Sequence, residues 1–269
     1  MQLTWLLGAP IQPGSVHRRV VGQTGLGSAA TQLMRAVRPT HSRRNRVANK
    51  RELQRQTAIH EHLSGLAQST SLFRSVVSYQ TAICHVALHN YQEALGWFDQ
   101  AVGDLCEDSR LWISTGEPNM IIEAYLLSSR AISAQAVKSR LEGYVEKRGG
   151  RGLIAQYALA LAGLTWPAFT DVREHANRLL ENPSVKDMRA LGECISSILD
   201  GRVDAGLFQE AIRRDSYWSR QEFRGHARRF VCMPVMALAS ICPGSVPIVS
   251  LDQALLPTGY LRFQRDVMA

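Results

Sequence analysis

Apolar residues recur at every third or fourth position through most of the chain, from about residue 52 to residue 241. This spacing places apolar side chains on one face of an α-helix, and the alternation typical of a strand is nearly absent. Helices are predicted over residues 72–87, 91–105, 119–133, 134–147, 153–164, 168–180, 185–199, 203–214, 219–230 and 231–241. Many helices joined by short connections predict an all-α fold, arranged as an antiparallel array of helical hairpins.

Proline and glycine mark several of the predicted helix ends. Glu117-Pro118 suits a helix start and Gly149-Gly150 a helix stop. Residues 153–164 are rich in alanine and leucine and offer little polar surface. A helix that is apolar all round is typical of a protein interior, so we expect this one to be central and well buried.

The last forty residues change character. Pro243-Gly244 ends the final predicted helix, and residues 246–250 have the only strand-like composition after residue 52. Pro247 lacks a backbone N–H, which confines such a segment to a sheet edge or to an isolated extended strip. We therefore expect a short extended C-terminal segment that packs as a cap on the helices.

The positive charge of the protein is concentrated at its front. The 269 residues carry a net charge of +8, whereas residues 1–51 alone contain nine Lys or Arg and no Asp or Glu, which leaves −1 for residues 52–269. The front is also rich in Gly, Pro and Ser and has no sustained periodicity. We predict a basic, disordered tail over 1–51 and a single all-helical domain over 52–269.

Three interpretations of the basic tail stay open. It is an arm that contacts phosphate backbones or acidic surfaces, an organellar transit peptide, or an upstream extension before a working chain that starts near Met34. A secretory signal fits poorly, because residues 3–7 form too short an apolar stretch and the cations follow it. Nucleic acid is therefore expected as a partner only through the tail.

The sequence favours a cytoplasmic protein without a membrane partner. No run approaches the roughly 18 to 20 apolar residues that a bilayer-spanning helix needs. The five cysteines are an odd number without a CxxC pair. Buried thiols in a reducing compartment fit this pattern better than a disulfide framework does.

The candidate metal ligands are His85, His89 and Glu93. Their four-residue spacing places all three on one face of a helix, and imidazole with carboxylate is a common zinc ligand set. However, the glutamate that follows the first histidine in zinc proteases is missing, and no second ligand cluster is near. We therefore predict histidines that line a helix surface, and no bound metal.

Other catalytic signatures are missing from the sequence. There is no Gly-x-Ser-x-Gly motif, and the cysteines lie among apolar residues, as inert thiols do. Arg213-Arg214 and Arg228-Arg229 have Asp215 and Glu222 nearby, which favours a salt-bridged surface over a phosphate site. We predict no catalytic residue and no cofactor, although a helical hydrolase or metal enzyme stays open as a minor alternative.

Residues 90–102, Asn-Tyr-Gln-Glu-Ala-Leu-Gly-Trp-Phe-Asp-Gln-Ala-Val, resemble the second helix of a tetratricopeptide repeat. The pattern does not recur about 34 residues later, whereas a solenoid needs at least three units. The resemblance indicates either convergence between helical hairpins or one repeat-like hairpin in a bundle that does not otherwise repeat.

A second resemblance lies near the C-terminus. Residues 228–239, Arg-Arg-Phe-Val-Cys-Met-Pro-Val-Met-Ala-Leu-Ala, and residues 246–257, Val-Pro-Ile-Val-Ser-Leu-Asp-Gln-Ala-Leu-Leu-Pro, resemble the signature of immunity protein family 49 of bacterial polymorphic toxin systems. Residues 242–245 depart from the Arg-rich turn usual in that family. The recurring positions, which we interpret as packing residues, are Met233, Pro234, Ala237, Leu238, Pro247, Leu256 and Pro257.

The resemblance implies a function that needs no catalytic residue. An immunity protein binds its cognate toxin directly and occludes it, so a complementary surface suffices. Affinity in such a complex comes from a few aromatic, Arg or apolar anchors, for which the helices offer Trp97, Trp112, Trp166 and Trp218. The alternative is a tetratricopeptide-like helical adaptor that binds a protein or peptide in a groove.

Overall fold

The structure is a computed structural model of the chain, and it describes residues 53–55, 57–58, 71–107, 117–222, 227, 230–242 and 256–269. All regular structure in these ranges is helical, without a strand, which confirms the all-α prediction. The longer helices are α1 (Ser71–Leu88), α2 (Tyr91–Glu107), α3 (Glu117–Leu127), α4 (Ala134–Arg148), α5 (Leu153–Thr165), α6 (Val172–Leu180), α7 (Lys186–Leu199), α8 (Ala205–Glu222), α9 (Met233–Ile241) and α10 (Thr258–Met268). None of them is both long and apolar enough to cross a bilayer.

Helices that follow one another in sequence pack against one another. The α1–α2 hairpin has the most extensive contact, and the series α5, α6, α7 and α8 continues in the same way. The two helices with the most apolar composition, α5 and α9, lie in the interior. Helix α9 contacts α3, α5, α7, α8 and α10, so it links the two halves of the array.

Local capping explains where several helices begin and end. Ser133 accepts a hydrogen bond from the N–H of Ala136 and starts α4, while Gly149 ends it at φ 78°. Asp171 accepts from the N–H groups of Arg173 and Glu174 and starts α6. The predicted start of that helix, at residue 168, was therefore too early.

The predicted helix over 119–133 also ends earlier than expected, at Leu127. The hydroxyl of Ser128 donates to the carbonyl of Tyr125 (2.8 Å) and accepts from the N–H of Arg130 (3.0 Å). Ser129 donates from its N–H and its hydroxyl to the Asp99 carboxylate of α2, at 3.0 and 2.8 Å. These side chains compete with the helical backbone pattern, so the chain turns away at this point.

Residues 203–214 and 219–230 were predicted as two helices, but the end of the first and the start of the second, residues 219–222, lie in one continuous helix, α8. No glycine or proline interrupts residues 207–224, so nothing in the sequence forces a break there. Residues 223–226 and 228–229 lie outside the described residues, as do residues 1–52 with the predicted basic tail.

The predicted extended segment at 246–250, including Pro247, lies outside the described residues. Beyond it, α10 is a helix that the sequence analysis did not predict. The Gln264 side-chain amide donates to the carbonyls of Leu126 (2.7 Å) and Ser128 (2.8 Å), and the Tyr260 hydroxyl donates to the carbonyl of Leu127. The end of the chain therefore satisfies carbonyls that the end of α3 leaves free.

Candidate protein-interaction surface

The proposed metal ligands do not share a helix face, so that part of the prediction is wrong. Helix α1 ends at Leu88, and His89 adopts a left-handed conformation with φ 65°. His85 is buried, and its Nδ1 lies 3.4 Å from the side-chain amide nitrogen of Asn90. His89 is exposed, and its Nδ1 lies 2.7 Å from the Tyr91 hydroxyl. Glu93 is exposed on the next helix, α2. Within the described residues, no group of three or more His, Cys, Asp or Glu is placed to hold a metal ion.

The five cysteines are free thiols, and Cys84, Cys194 and Cys232 are buried. Burial raises the pKa of Cys106 and of Cys242 to about 11, and it raises the pKa of Cys194 further. A thiol acts as a nucleophile only after it loses its proton. At neutral pH these three groups therefore stay protonated and unreactive.

The described residues among the recurring positions of the C-terminal resemblance lie in the interior. Met233, Ala237, Leu238 and Leu256 are 0% exposed, and the two prolines beside them, Pro234 and Pro257, are buried as well. The carbonyl of Pro234 accepts a hydrogen bond from the buried Tyr157 hydroxyl of α5 at 3.2 Å. Pro247 lies outside the described residues. The described members of the set contribute to packing around α9.

Arg213 and Arg214 form surface ion pairs, as the sequence predicted. Both pairs are with Glu210. Arg213 Nε lies 2.7 Å and Arg214 Nε 2.5 Å from the Glu210 carboxylate oxygens. The hydrogen bond from Arg213, followed by the one from Arg214, lowers the pKa of Glu210 to about 2. Arg228-Arg229 lies outside the described residues.

Buried polar side chains connect the helices to one another. The Tyr79 hydroxyl of α1 donates to the Glu123 carboxylate of α3, and Asp104 of α2 accepts from Arg74 of α1 at 2.6 Å. Burial raises the pKa of Asp104, against the lowering effect of Arg74. Because polar groups inside a protein are costly unless they are bonded, these pairs fix the register between the helices.

A group of aromatic and cationic side chains reaches the surface where α3, α4 and α5 meet. We call it the aromatic-cation surface, and it consists of Tyr125, Arg130, Lys138, Trp166 and Phe169. All of these residues except the buried Tyr125 are half-buried. Among the other tryptophans, Trp97 is half-buried on α2, and the side chains of Trp112 and Trp218 lie outside the described residues.

The three rings form a continuous group, which we call the platform, with one cation at the Tyr125 end and a second cation at the central ring, Trp166. The Tyr125 and Trp166 ring centroids lie 5.3 Å apart, and Phe169 packs edge-on against Trp166 at 6.1 Å. Arg130 Cζ lies 6.0 Å from the Tyr125 centroid, and Lys138 Nζ lies 5.2 Å from the Trp166 centroid. These separations are within the range of cation–π attraction.

Backbone geometry holds the platform in place. Arg130 has φ 58°, which is uncommon for a residue with a long side chain. The N–H of Trp166 donates to the carbonyl of Ala162 (2.7 Å), and the N–H of Phe169 donates to the carbonyl of Trp166 (2.8 Å). The connection from α5 to α6 is therefore a hydrogen-bonded turn that presents both rings.

Neither cation of the surface forms an ion pair with a residue that the structure describes. The Nε of Arg130 is buried and has no hydrogen-bond acceptor among the described atoms. Burial raises the pKa of Tyr125, although the charge of Arg130 opposes this shift. The sequence identified Trp166 as one possible anchor among four, but it gave no sign that Arg130 and Lys138 would join it.

Comparison of the chain with protein-family models, with curated proteins and with solved structures gave no significant match. The resemblance to immunity protein family 49 therefore depends on the C-terminal residues alone.

Proposed function

We propose that this protein is an immunity protein that binds its cognate toxin in the bacterial cytoplasm and neutralises it by occlusion, without catalysis. The observation that carries the proposal is the aromatic-cation surface. Tryptophan, tyrosine and arginine are the residues that most often dominate the binding energy of protein interfaces. Here Trp166 and Arg130 are half-buried at the surface, and the buried Tyr125 packs beneath them.

The fixed geometry of the surface supports tight binding. Association costs conformational entropy for each side chain that becomes immobile in the complex. The rings of Tyr125, Trp166 and Phe169 already contact one another in the free protein. Binding of a partner to these rings therefore costs less conformational entropy than binding to a mobile surface does.

The resemblance at the C-terminus narrows the class of partner. Helix α9, which carries Met233, Pro234, Ala237 and Leu238, is buried at the centre of the helical array. A residue set that builds the interior leaves the surface free to differ between relatives. This arrangement suits a set of proteins that share a scaffold and bind different toxins.

The proposal is tested with the product of the adjacent upstream gene. That product is expressed in cells with and without this protein, and growth and co-purification are measured. We expect toxicity that this protein relieves, together with a stable complex. A neighbour that is harmless, or one that is toxic and unaffected by this protein, would contradict the pairing.

Two variants connect the result to the surface. Trp166→Ala removes the central ring of the platform, and Trp97→Ala removes a half-buried tryptophan on a different helix. We expect Trp166→Ala to lose protection and Trp97→Ala to keep it at a matched protein level. Equal protection by both variants would place the binding site elsewhere.

The alternative function, a tetratricopeptide-like adaptor, is favoured by one observation. The residues at the repeat-like positions Ala94, Phe98 and Ala101 are 0% exposed, and their helix packs closely on α1. This is the packing expected of a repeat-like hairpin. A stable complex with a protein that is not toxic would support the adaptor over the immunity protein.

A further inference from the structure

We infer that the aromatic-cation surface receives an acidic segment of a protein partner, with carboxylates against Arg130 and Lys138 and an apolar or aromatic side chain against Trp166. This inference rests on the proposed function, since it specifies the chemistry of the partner at the same surface.

The charges at the platform are not neutralised from within the described structure. Two acidic side chains beside the platform have other hydrogen bonds: Asp99 accepts from Ser129, the neighbour of Arg130 in the chain, and Asp171 accepts from the start of α6. Glu142 follows Lys138 by one turn of α4, but a base followed by an acid is the weaker order on a helix. The two side chains form no ion pair. Two half-buried cations therefore lie over aromatic rings without an ion-pair partner among the described residues.

The backbone holds Arg130 where a carboxylate can reach it. Its left-handed conformation is fixed by a 3.0 Å hydrogen bond from its own N–H to the Ser128 hydroxyl. A strained residue persists only where the surrounding structure holds it. The guanidinium of Arg130 is half-buried and forms no ion pair with a described residue, so a carboxylate that reaches its exposed part gains a charge-assisted hydrogen bond.

The charge of the surface selects among possible occupants. Residues 1–51 carry nine Lys or Arg and no acidic residue, so the front of the chain is repelled. A symmetric contact with a second copy would place the same cations against one another. Nucleic acid binding relies on several cations along a groove, whereas the described surface offers two. An acidic protein segment fits the charges and also uses the rings.

The experiment measures the affinity of the full-length protein for the adjacent gene product. Arg130→Glu/Lys138→Glu reverses both charges, and the neutral variant Arg130→Gln/Lys138→Gln serves if the reversal disturbs folding, which circular dichroism reports. We expect Kd to rise on the order of 30-fold or more, the loss that a hot-spot residue brings. The association rate should also lose much of its salt dependence.

The matched control reverses two exposed cations away from the surface, in Arg151→Glu/Lys186→Glu. This variant changes the net charge by the same amount, so it corrects for general electrostatic attraction. We expect its affinity to stay within a few fold of that of the unaltered protein. Similar losses in both double variants would overturn the inference, as would no loss in either.

A second measurement applies if the adjacent gene product does not bind, which would refute the proposed function alone. The probes are a fluorescent 20-residue peptide of alternating Glu and Ala, its Gln counterpart, and a 20-nucleotide poly(dT). The basic front is the same in every variant, so its contribution cancels. We expect Arg130→Glu/Lys138→Glu to weaken binding of the Glu peptide more than the control does. Unchanged peptide binding, or a larger loss for poly(dT), would overturn the inference.

Discussion

Gly163 should be intolerant of even one added methyl group. It lies in the last turn of α5, where that helix meets the start of α6. A Cβ placed on Gly163 would lie 2.5 Å from Val172 Cγ2, 3.0 Å from Thr170 Cγ2 and 3.0 Å from the Thr170 carbonyl oxygen. We consider the substitution Gly163→Ala, which adds that one atom and leaves every other side chain unchanged.

Two opposing effects set the magnitude. Alanine is favoured over glycine inside a helix by about 1 kcal/mol at most. Extra volume in a packed interior costs about 1–3 kcal/mol, occasionally more. Here the obstacles are a backbone carbonyl and the β-branched Val172, whose χ1 is nearly fixed in a helix, so rotation does not relieve the contact. We therefore expect Gly163→Ala to have a free energy of unfolding about 1–3 kcal/mol below that of a Gly→Ala change that gains helix propensity alone.

The assay is urea unfolding followed by circular dichroism, with Gly96→Ala as the matched control. Gly96 is an exposed position within α2, and a Cβ there meets nothing within 4 Å. The control should gain up to about 1 kcal/mol from helix propensity alone. For a chain of this size, each 1 kcal/mol corresponds to roughly 2–4 °C in Tm. A Gly163→Ala variant as stable as Gly96→Ala would refute the packing argument.

Three further predictions follow from the buried polar groups. Burial lowers the pKa of His175, so as the pH falls the unfolded chain binds this proton before the folded chain does. The free energy of unfolding should therefore be highest above about pH 6.5 and decrease below it. His175→Gln should reduce this decrease between pH 7.5 and pH 5.5 in urea titrations. Gln264→Ala leaves the carbonyls of Leu126 and Ser128 without their donor and should cost about 1–3 kcal/mol in the same assay; an unchanged midpoint would contradict this. The raised pKa of Cys106, about 11, predicts alkylation by iodoacetamide at pH 8 far slower than that of free glutathione, and an equal rate would show that the thiol is accessible and ionised.

The helices themselves were largely predictable, because a buried stripe needs regular spacing along the chain. Helix α5 is the clearest case: residues 153–164 were predicted to be central, and Ala155 to Gly163 are buried in the structure. The hairpin of α1 and α2 followed from two adjacent stripes in the same way. Hydrophobic periodicity records burial, and burial is what fixes a helix in a fold.

Features that depend on contacts distant in sequence were not predictable. The end of α3 depends on Asp99, thirty residues earlier, which accepts two hydrogen bonds from Ser129. Helix α10 was missed because its buried face mixes the apolar Leu261 with Tyr260 and Gln264, whose side chains donate to carbonyls at the end of α3 and at Ser128. The sequence contains these residues, but only the fold brings their partners within reach.

A left-handed residue just after a helix explains both the missing metal-binding face and the aromatic-cation surface. The two non-glycine residues with positive φ in the described structure are His89 and Arg130, and each follows the end of a helix. At His89 the turn separates His85 from Glu93 and so removes the proposed metal-binding face. At Arg130 the turn directs a guanidinium over Tyr125 and so builds one end of the aromatic-cation surface. Left-handed residues other than glycine leave no reliable mark in a sequence. A helix face predicted from residue spacing is therefore valid only up to the next such turn. The contacts of residues at helix ends have to be taken from the structure.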